Sequence, residues 1–129
     1  MIQTGIKGRK ETIVTQELTA EAVGSGLLPV YATPMMIALM EQTAYTSVSE
    51  YLEEGTGTVG TLMNVSHLAA TPLGMKVYCE TELVEIDRRR LVFSVKAYDE
   101  CGLIGEGTHE RFIIENEKFL TKANQKLQK

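Results

Sequence analysis

The chain has 129 residues, 43% hydrophobic and 23% charged, with thirteen basic and seventeen acidic side chains giving a net charge of −4. Those values exclude a disordered, coiled-coil or collagen-like chain, and the length suits one domain able to bury its own core. The acidic balance argues against a general nucleic-acid surface, and no run of about 18 apolar residues is available to span a membrane. Met1–Lys10 lacks the apolar stretch of a signal peptide. Cys79 and Cys101 lie far apart without CxxC spacing, which reads as reduced thiols in a cytoplasmic protein.

In chain order, Thr12, Ile13, Val14 and Thr15 predict a short strand within residues 10–17. Gly24-Ser25-Gly26 predicts a turn. A helix is expected from Pro34, capped by Thr33, to about Leu52, with Gly55 supplying the left-handed residue beyond its end. At about 100° per residue, Ile37, Met40, Ala44, Val48, Tyr51 and Leu52 fall on one wide face. After Gly57 the period becomes two: Val59, Met63, Val65 and Ala69 alternate with Gly60, Asn64, Ser66 and Ala70 until the turn Thr71-Pro72-Leu73-Gly74. Two further strands carry Val77, Cys79, Thr81 and Leu83, then Leu91, Phe93, Val95 and Ala97, joined at Asp87-Arg88-Arg89. The last strand runs from about Leu103 to Glu115, and a lysine-rich tail over 117–129 spaces Phe119, Leu120, Ala123 and Leu127 as a helix would. The prediction is one α+β domain over 1–129, its core at about 10–116, with the helix on one face of an antiparallel sheet. An open sheet edge predicts at least a dimer.

Glu41 is the most informative residue. The wheel sets it between Val48 and Leu52, inside the predicted apolar face. A carboxylate there would be partly desolvated, and desolvation moves its pKa toward that of a general base. The plainer alternative is a stripe-edge glutamate that reaches solvent or pairs with a lysine. His67 shares a strand face with Met63 and Val65, where hydrogen-bonded filler competes with a functional role. Thr33 is either the helix cap or a hydroxyl beside the helix N-terminus, where N–H groups favour an oxyanion. About 12 Å of helix separates Thr33 from Glu41, so a third group is needed to connect them. His67 and His109 lack HxH or HExxH spacing, which argues against a metal site. Gly24-Ser25-Gly26 and Gly105-Glu106-Gly107 do not open helices after strands, and so are not dinucleotide fingerprints. Arg88-Arg89-Arg90 reads most simply as a solvated turn.

Tyr31-Ala32-Thr33, Ala38-Leu39-Met40-Glu41, Thr58-Val59-Gly60-Thr61, Val65-Ser66-His67, Ala69-Ala70-Thr71-Pro72-Leu73-Gly74 and Gly107-Thr108-His109-Glu110-Arg111 together resemble the fluoroacetyl-CoA thioesterase family. The match covers roughly residues 28–120 in order. The resemblance implies a homodimeric hotdog fold, with a tetramer left open, that hydrolyses a short-chain acyl-CoA. It implies Thr33, Glu41 and His67 as the catalytic set, Gly60 beside the acyl group and Arg111 near the site. CoA would enter only as part of the substrate, with no other cofactor and no metal. The fluoroacetyl-selective member is marked by phenylalanines shortly before the threonine, where this chain has Gly24 and Leu27, so another short acyl group is expected. Two alternatives stand beside this reading: a non-catalytic acyl-CoA-binding module, and a hotdog enoyl-CoA hydratase, whose D-x-N-x-x-H spacing is absent.

Overall fold

A computed structural model describes residues 1–128. Its elements are β1 (Lys7–Ile13), the single-turn α1 (Ala20–Val23), the long α2 (Thr33–Ser49), β2 (Thr56–His67), β3 (Lys76–Asp87), β4 (Arg90–Asp99), β5 (Gly102–Glu115) and α3 (Asn116–Asn124). The five strands form one sheet in the order β1-β3-β4-β5-β2, and every neighbouring pair is antiparallel. The hairpins joining β3 to β4 and β4 to β5 turn through left-handed residues, Arg88 (φ 61°) and Gly102 (φ 143°).

α2 forms because Pro34 sits in its first turn, where the missing N–H costs nothing. It lies across the sheet and buries Met36, Leu39, Met40, Thr43, Ala44 and Val48. The sheet answers with Val77, Cys79, Leu83, Leu91, Phe93, Val95, Ala97 and Ile104, all fully or almost fully buried. Gly8 fixes how closely β1 approaches the helix. A Cβ there would stand 2.8 Å from Ser47 Cβ, the Thr43 carbonyl oxygen and Thr81 Oγ1.

Several boundaries move from their expected places. β1 begins and ends earlier, and the apolar end of the β-branched cluster, Val14, leaves the strand to enter the core at 0% exposure. α2 stops at Ser49 with Glu50 as its C-cap, so Gly55 (φ 84°) turns the chain into β2 and does not end the helix. Tyr51 consequently lies outside the helix and 40% exposed. β2 carries a bulge: Gly60 faces Arg111 and Leu62 faces Glu110, which leaves Thr61 as an extra residue. The bulge turns Gly60, not Val59, to the same face as Met63, against the alternation read from sequence. The tail forms α3 and a following 3₁₀ turn with no buried residue; Lys129 lies outside the described residues. Among the described residues, no helix is long and apolar enough to cross a membrane.

Candidate active site

Thr33 is not the cap of α2. Ala32 holds the N-cap position without a side-chain bond, and its carbonyl accepts the N–H groups of Met35 and Met36. That frees the Thr33 hydroxyl, which meets His67 Nδ1 at 2.7 Å. His67 is the last residue of β2, so the contact joins the start of the helix to the end of the edge strand. His67 Nε2 is buried without a hydrogen-bond partner among the described residues. Burial lowers the His67 pKa from its ordinary value, with the Ala69 backbone pulling the other way, which favours the neutral ring. Pro34 has no N–H, and no acceptor among the described residues takes that of Thr33. An open cleft lined by Ala20, Ser25, Tyr31, Thr33, His67 and Ala69 lies over the pair.

Glu41 stands two turns further along α2. Its side chain is 42% exposed, because the buried arc of the helix runs through Met36, Leu39, Met40, Thr43, Ala44 and Val48 and leaves Glu41 at its edge. Glu41 is therefore only partly withdrawn from solvent within one protomer, on the edge of the buried face and not inside it. Nor does the carboxylate pair with a lysine: Oε2 accepts from Arg111 Nη1 at 3.2 Å. Arg111 is itself only 6% exposed and is held by three further bonds. Its Nε donates to Thr58 Oγ1 at 2.8 Å and its Nη2 to the Thr58 carbonyl at 3.0 Å. Nη1 also lies 3.0 Å from His109 Nε2. Gly60 leaves the room these groups occupy, since a Cβ there would stand 2.5 Å from Glu41 Oε2 and 3.3 Å from Arg111 Nη1.

The five residues named in advance thus divide into a Thr33–His67 pair and a Glu41–Arg111 pair lying over Gly60. Among the described residues, no hydrogen bond connects the two groups. The axial distance between Thr33 and Glu41, about 12 Å, stays unbridged within the protomer. Sequence reasoning quoted Thr58 and His109 in its motifs and rejected His109 as a metal ligand, but gave neither a place in the site. The signal for His109 was its spacing: Gly105, Gly107, His109 and Arg111 alternate on β5, so two polar side chains follow two glycines on the face toward the helix. Among the described residues, no three His, Cys, Asp or Glu side chains group as metal ligands.

A single long helix packed on a five-stranded antiparallel sheet, with a hydroxyl–imidazole pair at one end of the helix and a carboxylate on its edge, defines a hotdog protein of the thioesterase class. Residues 14–117 match the model of the fluoroacetyl-CoA-specific thioesterase family, and the chain belongs to that family. The chain is 45% identical over 97 residues to a fluoroacetyl-CoA thioesterase of Streptantibioticus cattleyicolor, covering 75% of this chain and 70% of that one. The solved structure of a fluoroacetyl-CoA thioesterase superposes with a TM-score of 0.92 at 36% identity, covering 98% of each chain. A variant of it in complex with acetyl-CoA gives 0.93 at 35% identity, over 97% of this chain and 98% of that one. A Thermus thermophilus thioesterase superfamily member gives 0.89 at 32% identity, over 99% of this chain and 95% of that one.

Proposed function

We propose that the protein hydrolyses a short-chain acyl-CoA to the free acid and CoA, with Thr33, Glu41 and His67 as catalytic residues. The observation that carries this reading is the 2.7 Å Thr33–His67 bond: a threonine released from capping, joined to a half-buried imidazole beside a helix N-terminus. The Thr33 N–H and the dipole of α2 suit the oxyanion formed when a thioester carbonyl is attacked, a role in which one donor is worth about 3–4 kcal/mol. Glu41 supplies the carboxylate. It either attacks the carbonyl, giving an anhydride that water opens, or takes the proton of the attacking water. In both routes the C–S bond breaks, water supplies the acid's new oxygen, and the proton that water gives up is taken by Glu41 or by the neutral His67 imidazole and passed to the departing CoA thiolate. The reaction as written consumes only water, so no cofactor beyond the CoA of the substrate is called for. Gly24 and Leu27, where the fluoroacetyl-selective member has phenylalanines, favour a short acyl group other than fluoroacetyl.

The active form is proposed to be a homodimer. Among the described residues β2 pairs only with β5, so its other edge carries twelve residues of unpaired backbone. A second copy laid antiparallel along β2 would carry the His67 end of one protomer over the Thr56–Gly60 end of the other, beside Glu41 and Arg111. Each dimer would then hold two sites, each combining a Thr33–His67 pair from one copy with a Glu41 from the other. The two unpaired cysteines suit a cytoplasmic setting.

Free thiol followed across a panel of acyl-CoAs of increasing chain length tests the activity. Wild type should release thiol from a short-chain substrate, and Glu41→Gln should be slower by about 10²-fold or more. Turnover near wild type in Glu41→Gln would remove Glu41 from the chemistry. Acyl-CoA bound but never cleaved would make the protein a binding module.

A further inference from the structure

His109 is 1% exposed, lies 6.2 Å from the Phe93 ring and takes no part in the mechanism above. Both of its ring nitrogens are nevertheless committed. Nδ1 is 2.9 Å from the Leu62 carbonyl oxygen, and Nε2 is 3.0 Å from Arg111 Nη1. A carbonyl oxygen only accepts and a guanidinium only donates, so these two contacts are satisfied together by one form of the ring alone. That form is the neutral tautomer with its proton on Nδ1 and a lone pair on Nε2.

The same accounting applied to Arg111 shows what the lone pair does. Nε and Nη2 are bound by Thr58, while Nη1 carries two protons that face two acceptors, His109 Nε2 and Glu41 Oε2. Because the guanidinium is planar, binding one Nη1 proton to the imidazole fixes the direction of the other. That direction is toward the carboxylate. We propose that His109 is a positioning residue for the thioesterase site: held as the Nδ1–H tautomer by the Leu62 carbonyl, it accepts from Arg111 and thereby aims the guanidinium at Glu41. The chain of contacts runs from the β2 bulge, where Leu62 follows Thr61, through His109 and Arg111 to the carboxylate on α2. Burial is consistent with the assignment: it pushes the His109 pKa below 6.5, and the Arg111 charge acts in the same direction. The charged groups near the ring are Arg111 and Glu110 on its own strand and Glu41 on α2.

The role in catalysis rests on the hydrolase reading of Glu41, but the tautomer does not, and the two are tested separately. Long-range ¹H–¹⁵N correlation on wild-type protein at neutral pH should show His109 protonated at Nδ1 and bare at Nε2. A ring protonated at Nε2 would overturn the proposal whether or not the protein cleaves any thioester. For the catalytic part, His109→Phe keeps the ring volume and removes the acceptor, and kcat for thiol release should drop about ten- to hundredfold as Glu41 loses its orientation. His109→Gln carries an amide oxygen close to the Nε2 position and should recover most of that loss, which a purely structural role would not predict. In an Arg111→Met background, His109→Phe should cost almost nothing further, because its effect passes through the arginine. A folded His109→Phe enzyme with wild-type kcat, or losses that multiply fully in the double variant, would overturn the positioning role.

Discussion

Gly60 shows most directly how a single residue shapes the site. The atom that an added Cβ would strike, at 2.5 Å, is the end of the Glu41 side chain, with Arg111 Nη1 and His109 Cε1 behind it at 3.3 Å. A carboxylate terminus moves at little cost to the fold. Gly60→Ala is therefore expected to leave the thermal midpoint within a few degrees of wild type and to lower kcat/KM by about tenfold or more, by displacing Glu41 from its aligned position. Parallel melting and thiol-release measurements check this, and a variant that loses stability but not activity would contradict it. Protonation is also a residue-scale matter. His67 and His109 both have folded-state pKa values lowered beneath 6.5, chiefly by burial. Near pH 6.5 the unfolded chain thus takes up protons before the folded one does, so the contribution of these rings to stability is complete above that pH and is lost as the pH falls below it. Denaturant titrations between pH 7.5 and pH 5 should show stability declining on the acid side. The acid limb of kcat/KM, where His67 becomes charged, should have its midpoint below 6.5. At this scale Thr33 was legible in part. Its position at the helix start was visible in the Thr33-Pro34 pair, but whether its hydroxyl caps the helix or meets an imidazole 34 residues later depends on where β2 ends, which lies beyond local sequence.

At the scale of elements, the helix and four of the strands could be read from periodicity, and what escaped were the places where two elements touch. The apolar face of α2 was centred too close to Glu41 because Met36, Leu39 and Thr43 were left out of it and Leu52, beyond the end of the helix, was counted in. With Met36, Leu39 and Thr43 buried, the arc turns away from Glu41 and the carboxylate lies at its edge. The bulge at Thr61 was equally hidden, since alternation in sequence continues through a residue that the neighbouring strand does not match. Gly8 gives the clearest energetic consequence of element contact. Unlike Gly60, it abuts a backbone atom, the Thr43 carbonyl oxygen at 2.8 Å, together with Ser47 Cβ and Thr81 Oγ1. α2 would have to lift from β1 to admit a methyl group. Gly8→Ala should destabilise the fold by about 1–3 kcal/mol, read as a lower denaturation midpoint at unchanged m-value.

The whole-molecule question is which groups share a site. Within one protomer, Thr33 and Glu41 stand at different points along α2 and, among the described residues, no bond joins the Thr33–His67 pair to the Glu41–Arg111 pair; the open edge of β2 is where a second copy would unite them. Mixing inactive variants decides whether it does. In Glu41→Gln every site lacks its carboxylate, and in His67→Ala every site lacks its imidazole, so each homodimer is inactive alone. If each site draws the two groups from different copies, a dimer formed from one Glu41→Gln chain and one His67→Ala chain gathers both substitutions into one site and leaves the other intact. Equal amounts, unfolded together and refolded, give such mixed dimers as half of the population with one working site in two, so activity should return to about a quarter of wild type. If both groups come from the same copy, every site in every dimer carries one substitution and no activity returns. A refolded mixture that stays inactive, while wild type refolded alongside recovers, would return the catalytic set to a single chain and would require α2 or β2 to move before Glu41 could reach the carbonyl held at Thr33.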